Sequence, residues 1–402
     1  MNEQTRDNLK KGGQRVLWIS HSSGLFGAEK VLAEGIIALK DLGHEVILSL
    51  PNHGPLEAWC INEATHIVIT PTPWWVRNYR LSIKRMVILA GQIIRSSWAF
   101  IRLIKKHKPD LVITNTITIP AGALASRFTG VKHIWYIHEF GWEDHKLRYY
   151  FGERLSHRVI SMWSRRVIVN SLATKSKYDK SIPARKVGLL YYAVTPDGYL
   201  FNRDTKTTFT SESPMGVIIV GLVAENKGQM EAVRAIELLV KEKGYYIRLT
   251  LLGAINNQYS RHVSGYVDNN ELSGVVSILS FTKDPWPIIA SHDVSLNCSV
   301  CEAFGRITVE SMKMGIPVIA SNSGANPELV SHGETGLLYE QGNVKSLAEK
   351  LEYFYLNPEK IWSIGHNAFM WASNRFNMKR FARDLEHELL GDHSNKMSGG
   401  LS

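Results

Sequence analysis

The stretch Cys301-Glu302-Ala303-Phe304-Gly305-Arg306-Ile307-Thr308-Val309-Glu310 decides how this chain reads. Two carboxylates stand eight positions apart, with Phe-Gly between them. A buried-strand pattern, His292 to Asn297, precedes them. A helical pattern, Thr308 to Met314, follows and stops at Gly315. Glu302 is therefore expected in a loop at the carboxyl end of a strand, and Glu310 on the helix after it. In open α/β sheets the crevice outside the carboxyl ends of the strands is where ligands bind. The amides of Phe304, Gly305 and Arg306 are expected at the helix start, where the backbone dipoles favour an anion. Glycine lets the backbone approach a phosphate without a Cβ in the way. The segment is thus suited to hold a phosphate on its backbone and to offer one carboxylate on each side.

The segment resembles the family-4 retaining glycosyltransferases of the GT-B fold, also described as glycosyl transferases group 1. Their hallmark is Glu, seven residues, Glu, usually with Phe-Gly after the first acid. The following text matches too: Gly315-Ile316-Pro317-Val318-Ile319-Ala320-Ser321, then Gly324, Pro327-Glu328 and Gly333 to Leu338. The resemblance implies an α/β protein of two Rossmann-like domains facing each other across a cleft. It implies transfer of a sugar, with retention, from a nucleotide diphosphate sugar to a carbohydrate or lipid-linked acceptor hydroxyl, as in surface polysaccharide biosynthesis. Glu310 would then bind the donor ribose hydroxyls and Glu302 would lie against the transferred sugar. Phe304, Gly305, Arg306 and Ile307 would border the donor. No cofactor beyond the donor substrate is implied. Two other readings stand beside it: a nucleotide-sugar epimerase on the same scaffold, and a non-catalytic sugar-binding subunit.

A second segment, Val220-Gly221-Leu222-Val223-Ala224-Glu225-Asn226-Lys227-Gly228, leads from a strand into a helix running from Gln229 to Val240. In the resembled family an Arg usually follows the first Gly and a Lys precedes the later one, both facing the diphosphate. Here Lys227 matches and Leu222 stands where the Arg would be. A leaving diphosphate gains negative charge as the sugar bond breaks, and cations aimed at it lower the barrier. Arg306, at the helix start, is the candidate for the missing cation, because its planar fork suits a phosphate. No Asp-x-Asp pair of the kind that carries a divalent metal occurs anywhere, so no metal site is expected.

Earlier in the chain, Ser22 to Lys30 follows a strand and opens a helix. It looks like the glycine loop the family places below the diphosphate, which makes Gly27 a candidate contact. It is not Gly-x-Gly-x-x-Gly, so a nicotinamide site is not supported. His138, after Trp135-Tyr136-Ile137, corresponds to a family histidine near the donor sugar, and Ser171 fits a strand-end position. Glu143-Asp144-His145 is read as helix capping.

Twelve short apolar runs alternate with helical patterns, which implies parallel sheets with helices on both faces. The expected strands are Val16–Ser20, Val46–Leu50, Ile67–Thr70, Leu111–Thr114, Ile134–Ile137, Val167–Asn170 and Val187–Tyr191. A second set comprises Val217–Gly221, Arg248–Gly253, Val275–Leu279, Asp293–Asn297 and Pro317–Ala320. A polar segment, Thr205 to Pro214, separates the sets, so domains are expected at 1–200 and 214–375. The last helix, 376–392, is expected to return to the first domain, as the resemblance implies.

The chain has 402 residues with 44% hydrophobic content, enough for real cores. Its formal net charge of +10 favours anionic partners. Three cysteines, Cys60, Cys298 and Cys301, form no disulfide framework and no paired zinc motif. The amino terminus lacks an apolar signal core, and no run reaches the ~18 uninterrupted apolar residues of a membrane span. A cytoplasmic protein without an anchor helix is the expectation, with a peripheral place on the inner face of the membrane as the alternative reading. Between Glu63 and Asp110 there is no carboxylate, but there are nine Lys and Arg residues and three tryptophans, Trp74, Trp75 and Trp98. Leu81 to Lys106 reads as one helix, with a break at Gly91 as an alternative. At about 100° per residue, Lys84, Arg95, Arg102 and Lys106 share an arc, with Met86, Ile93, Phe100 and Ile104 opposite. The window Trp74–Lys108 is either a solvated basic side or a contact for anionic lipid, with Trp74, Trp75 and Tyr79 at the headgroups. No nucleic-acid recognition motif is present.

Overall fold

Runs such as Val46-Ile47-Leu48 show no polar alternation, the pattern of strands covered on both faces. The computed structural model of the chain, which describes residues 13–78, 82–195 and 206–391, forms these runs into two parallel sheets. The chain divides into two compact units, residues 1–193 with 378–402, and residues 194–377.

The strands of the first unit are β1 (Arg15–Ile19), β2 (Glu45–Leu50), β3 (His66–Ile69), β4 (Val76–Arg77), β5 (Leu111–Asn115), β6 (Lys132–Ile137), β7 (Arg148–Tyr149), β8 (Arg166–Val169) and β9 (Val187–Leu189). Seven form one parallel sheet in the order β3-β2-β1-β5-β6-β8-β9, while β4 and β7 pair separately as an antiparallel ribbon. The chain moves outward from β1 to β3, then crosses back to β5 beside β1 and moves the other way. That reversal makes β1/β5 a topological switch point.

The second unit contains β10 (Met215–Val220), β11 (Ile247–Ala254), β12 (Val276–Ser280), β13 (Val294–Asn297), β14 (Val318–Ser321) and β15 (Gly336–Tyr339). Their order is β12-β11-β10-β13-β14-β15, so the switch point lies at β10/β13. Val217, Leu249, Leu296 and Ile319 from its strands and Leu351 and Phe354 from a covering helix are buried in one core.

All twelve expected strands form, each within two residues of its expected bounds. β15 and the β4–β7 ribbon were not expected. β15 is four residues beside a glycine-rich turn, and the ribbon's strands have two residues each, too short to show a period.

The change of unit falls after Ala193, earlier than the polar segment implies. Thr205 lies outside the described residues, but the rest of that segment is docked on the second unit. Lys206 bonds Asp293 at 2.9 Å, and Phe209 is buried against the Tyr355 ring. The return crossing falls after Asn377. The final helix, Met378–Leu390, is part of the first unit. Its Glu388 pairs with Arg166 at 2.7 Å, and its Arg380 donates to the carbonyls of Tyr191 and Tyr192.

The helix Ile83–His107 runs unbroken through Gly91 and buries Ile93, Phe100 and Ile104, while Lys84, Arg95, Arg102 and Lys106 are exposed. Trp75, expected at a lipid headgroup level, is instead core. Its ring stacks on Trp135, and Nε1 donates to the Ile117 carbonyl. Trp74 is half-buried and donates to the His21 carbonyl. Both rings gain more from apolar packing and a backbone acceptor than from the surface. Tyr79, Arg80 and Leu81 lie outside the described residues.

Candidate functional site

The second unit gathers its chemistry where its strand order reverses. β10 and β13 are hydrogen-bonded neighbours, so the loops at their carboxyl ends lie side by side. The first loop carries Lys227 and the second carries Glu302. Lys227 Nζ donates to Glu302 Oε2 at 2.9 Å. Ser299 Oγ donates to the same oxygen at 2.8 Å and stands 3.4 Å from Lys227 Nζ. Lys227 remains about a third exposed, so the ammonium is within reach of a ligand as well as the carboxylate.

Backbone contacts hold the two loops together. Val300 N donates to the Asn226 carbonyl at 3.0 Å. Gly228 has φ +69°, and a Cβ there would lie 2.7 Å from the Cys298 Cβ, so only glycine lets the loops close to this distance. On the other side of Glu302, Ala325 N donates to the Glu302 carbonyl at 2.7 Å. Gly324, at φ +57°, passes so close that a Cβ would lie 2.5 Å from Glu302 N. A buried polar network supports this floor. Asn297 Nδ2 donates to Thr308 Oγ1 and Asn326 Oδ1, and Ser321 Oγ donates to the Ser299 carbonyl.

The helix Arg306–Lys313 starts directly after this loop, with Gly305 as its N-cap. Its amino end therefore lies beside Glu302, as the sequence implies, and supplies the partial positive charge of a helix start. Phe304 is buried, with its ring edge-on to Phe376, so its side chain anchors the turn. Arg306 and Glu310, one turn apart, face each other with Nε 3.7 Å from Oε1, both almost buried. That separation is longer than a hydrogen bond. Ile307 is half-buried on the first turn. Leu222 has an exposed side chain, and its carbonyl accepts from the buried Gln229 amide.

The remaining candidates, Gly27 and His138, belong to the first unit. Gly27 is the exposed first residue of the helix Gly27–Asp41. His138 follows β6 and is buried with both ring nitrogens engaged. Nε2 meets Asn115 Oδ1 at 2.7 Å and Nδ1 meets the Tyr192 hydroxyl at 2.6 Å. An amide oxygen only accepts, so the network assigns the proton to Nε2. Burial, and next the nearby His21, push the His138 pKa down to about 3, so the ring is neutral. Next to it, burial raises the Glu139 carboxyl to about 8, although the amides of Ile117 and His138 both donate to it. Ser171 caps the helix Leu172–Tyr178. Asp144 accepts from the amides of Phe140 and Gly141 at 2.8 Å each, the capping role read from its cluster.

Ser299, Asn115 and Tyr192 were not singled out in the sequence. Ser299 had a local signal, a small hydroxyl between a strand end and an acid. The other two become partners of His138 only through the sheet order, which sets β5 directly beside β6 and brings the segment after β9 back past β8 to the end of β6. Cys298 is a packing thiol: burial raises its pKa to about 12. Among the described residues no group of three or more His, Cys, Asp or Glu side chains is arranged to hold a metal ion.

Residues 203–371 match the family described as glycosyl transferases group 1, and residues 27–197 match glycosyltransferase family 4. The capsular polysaccharide biosynthesis glycosyltransferase CapM of Staphylococcus aureus is 28% identical over 167 residues, 42% of this chain and 43% of that protein. A D-inositol 3-phosphate glycosyltransferase of Pseudarthrobacter chlorophenolicus is 28% identical over 163 residues, 39% of this chain and 38% of that protein. The chain thus spans less than half the length of these curated relatives. Among solved structures, Anabaena HepE in complex with UDP and glucose superposes with a TM-score of 0.73 at 21% identity, covering 94% of this chain and 99% of that one. A glycosyltransferase from Rickettsia africae gives 0.73 at 19% identity, covering 94% and 100%. At these identities the likeness concerns the fold.

Proposed function

The chain belongs to the family-4 glycosyltransferases of the GT-B fold, and from that premise we propose that it transfers a sugar, with retention, from a nucleotide diphosphate sugar to a saccharide or lipid-linked hydroxyl in surface polysaccharide synthesis. The observation that carries this reading is the meeting of Lys227, Ser299 and Glu302 beside the amino end of the helix Arg306–Lys313. A cation, a hydroxyl and a helix start at one strand reversal suit a pyrophosphate.

In this reading the bond between the sugar C1 and the diphosphate oxygen breaks, and the diphosphate takes the electron pair. The acceptor oxygen bonds C1 on the same face, and its proton passes to the departing phosphate. Lys227 and the amides at Phe304–Ile307 stabilise the growing charge. Arg306 is the second cation, in place of the arginine that Leu222 does not provide. Glu310, held near Arg306, receives the ribose hydroxyls. Glu302, oriented by Ser299 and Lys227, lies against the transferred sugar. Gly27 and His138 are assigned the sugar and acceptor contacts that the resemblance implies. We place the reaction in the cytoplasm and assign it no metal requirement.

Thermal unfolding in the presence of a panel of nucleotide sugars tests the donor part, since a ligand that binds only the folded state raises the melting point. Turnover of the stabilising donor with and without a chelator tests the metal part, and the anomeric configuration of the product tests retention. A donor consumed without acceptor would point to an epimerase, and a donor bound but never consumed would point to a binding subunit.

A further inference from the structure

The helix Ile83–His107 has three faces rather than two. Its buried face, with Leu89, Ile93, Phe100 and Ile104, packs in the first unit. A basic face carries Lys84, Arg95, Arg102 and Lys106, all exposed. Between them lies an apolar stripe that the core does not cover: Ile83, Val87, Ile94 and Trp98, with Ile83 82% and Trp98 59% exposed. At about 100° per residue these four fall within an arc of about 60°, directly beside the basic arc. Single exposed apolar residues need no explanation, but four in register on one helix flank do.

We propose that this flank docks the protein onto an anionic lipid surface, with Ile83, Val87, Ile94 and Trp98 entering the headgroup boundary and the basic arc lying on lipid phosphates. An amphipathic helix with an apolar stripe next to Lys and Arg has the form of an interfacial binder. The charge is concentrated here: the window from residue 64 to 109 holds nine Lys and Arg and no acid, out of a chain total of +10. A second copy of the chain would bring the same positive charges face to face. A nucleic acid would satisfy the cations but would gain nothing from an isoleucine–tryptophan stripe. The helix is also long and apolar enough to cross a bilayer, but 44% of its most apolar window is buried inside the unit. Crossing would strip that face from its core, whereas lying on the surface uses only what is already exposed. None of these residues belongs to the donor set in the second unit, so this inference stands or falls apart from the donor reading.

The test is co-sedimentation of the full chain with phosphatidylcholine vesicles, alone or mixed with phosphatidylglycerol, at low and high salt. The expected result is binding to the mixed vesicles at least about tenfold above the neutral ones, weakened by salt. Ile94→Asp with Trp98→Asp should cut that binding about tenfold or more by removing apolar insertion. Arg95→Glu with Arg102→Glu should cut it about twentyfold or more, since each cation near such a surface is worth about fivefold. Both double variants change exposed positions, so each should keep the parental melting curve. If one fails to fold, the other and the slowed amide exchange of residues 83–98 on vesicles decide the matter. Equal binding to both lipids, no binding, or parental binding by a folded variant would overturn the proposal. So would a pellet that resists alkaline carbonate, which means spanning, or a concentration-dependent dimer abolished by the same substitutions.

Discussion

Replacing Lys227 by Met separates two things the ammonium does. Its bond to Glu302 is short at 2.9 Å, but the two side chains are 32% and 17% exposed. Solvent-accessible ion pairs of this kind contribute about 0–1 kcal/mol. Glu302 also keeps the Ser299 hydroxyl as a partner after the change, so no carboxylate is left bare. A loss of about 1 kcal/mol in a unit this size lowers the melting temperature by only about 2–4 °C. The effect on a bound diphosphate is larger. A hydrogen bond to a charged group is worth about 1.5–3 kcal/mol, which is about tenfold to a hundredfold in affinity. If Lys227 also meets charge that grows during reaction, turnover falls by about 10²–10³. On the proposed donor reading, calorimetric titration with a panel of nucleoside diphosphates, scanning calorimetry of both proteins and initial rates of diphosphate release measure the three numbers. Lys227→Arg, which keeps the charge, should fall between parent and Met. Diphosphate affinity within about threefold of the parent, with a normal melting curve, would show that Lys227 faces something else. A melting point lower by more than about 10 °C would show that the pair is structural and the solvent-screening argument wrong.

Three further outcomes follow from the same geometry. Gly324→Ala should lower stability by about 1–3 kcal/mol, because its φ of +57° disfavours a Cβ and the new atom meets the Glu302 backbone; it should also weaken donor binding, and a urea midpoint equal to the parent's would contradict this. Lys313→Met should destabilise the second unit by about 1–3 kcal/mol, since the buried Nζ donates to the carbonyls of Val194 and Phe376 at 2.6 and 3.1 Å, with diphosphate affinity preserved in the folded fraction; an unchanged urea midpoint would rule the clamp out. His133 and His138 are both buried and held neutral, with pKa values pushed down to about 3 from 6.5. The unfolded chain takes up those protons below pH 6.5 and the folded chain does not. Stability from these groups is therefore intact above pH 6.5 and falls by up to about 1.4 kcal/mol per pH unit per histidine between 6.5 and 3. Urea titrations at stepped pH should show that slope, reduced by His133→Gln; a flat profile would count against burial as the cause.

Local patterning carried much of this protein on its own. The strand runs, the helices at Gln229 and Met378, and the loop-then-helix placement of Glu302 and Glu310 depend on period, glycine stops and short-range spacing, all contained in a window of ten to twenty residues. What those windows do not contain is sheet order. Lys227 and Glu302 are 75 residues apart and meet only because β10 and β13 are neighbours at the reversal of the second sheet. Ser299 joins them for the same reason, and Asn115 and Tyr192 close on His138 because β5 and β9 share a sheet with β6. Trp74, Trp75 and Trp98 are alike in the sequence, and packing buries one, half-covers another and exposes the third. Periodicity tells which positions share a side of a helix. It does not tell which sides another element will cover, because that depends on contacts between residues far apart along the chain, and only the folded arrangement decides them.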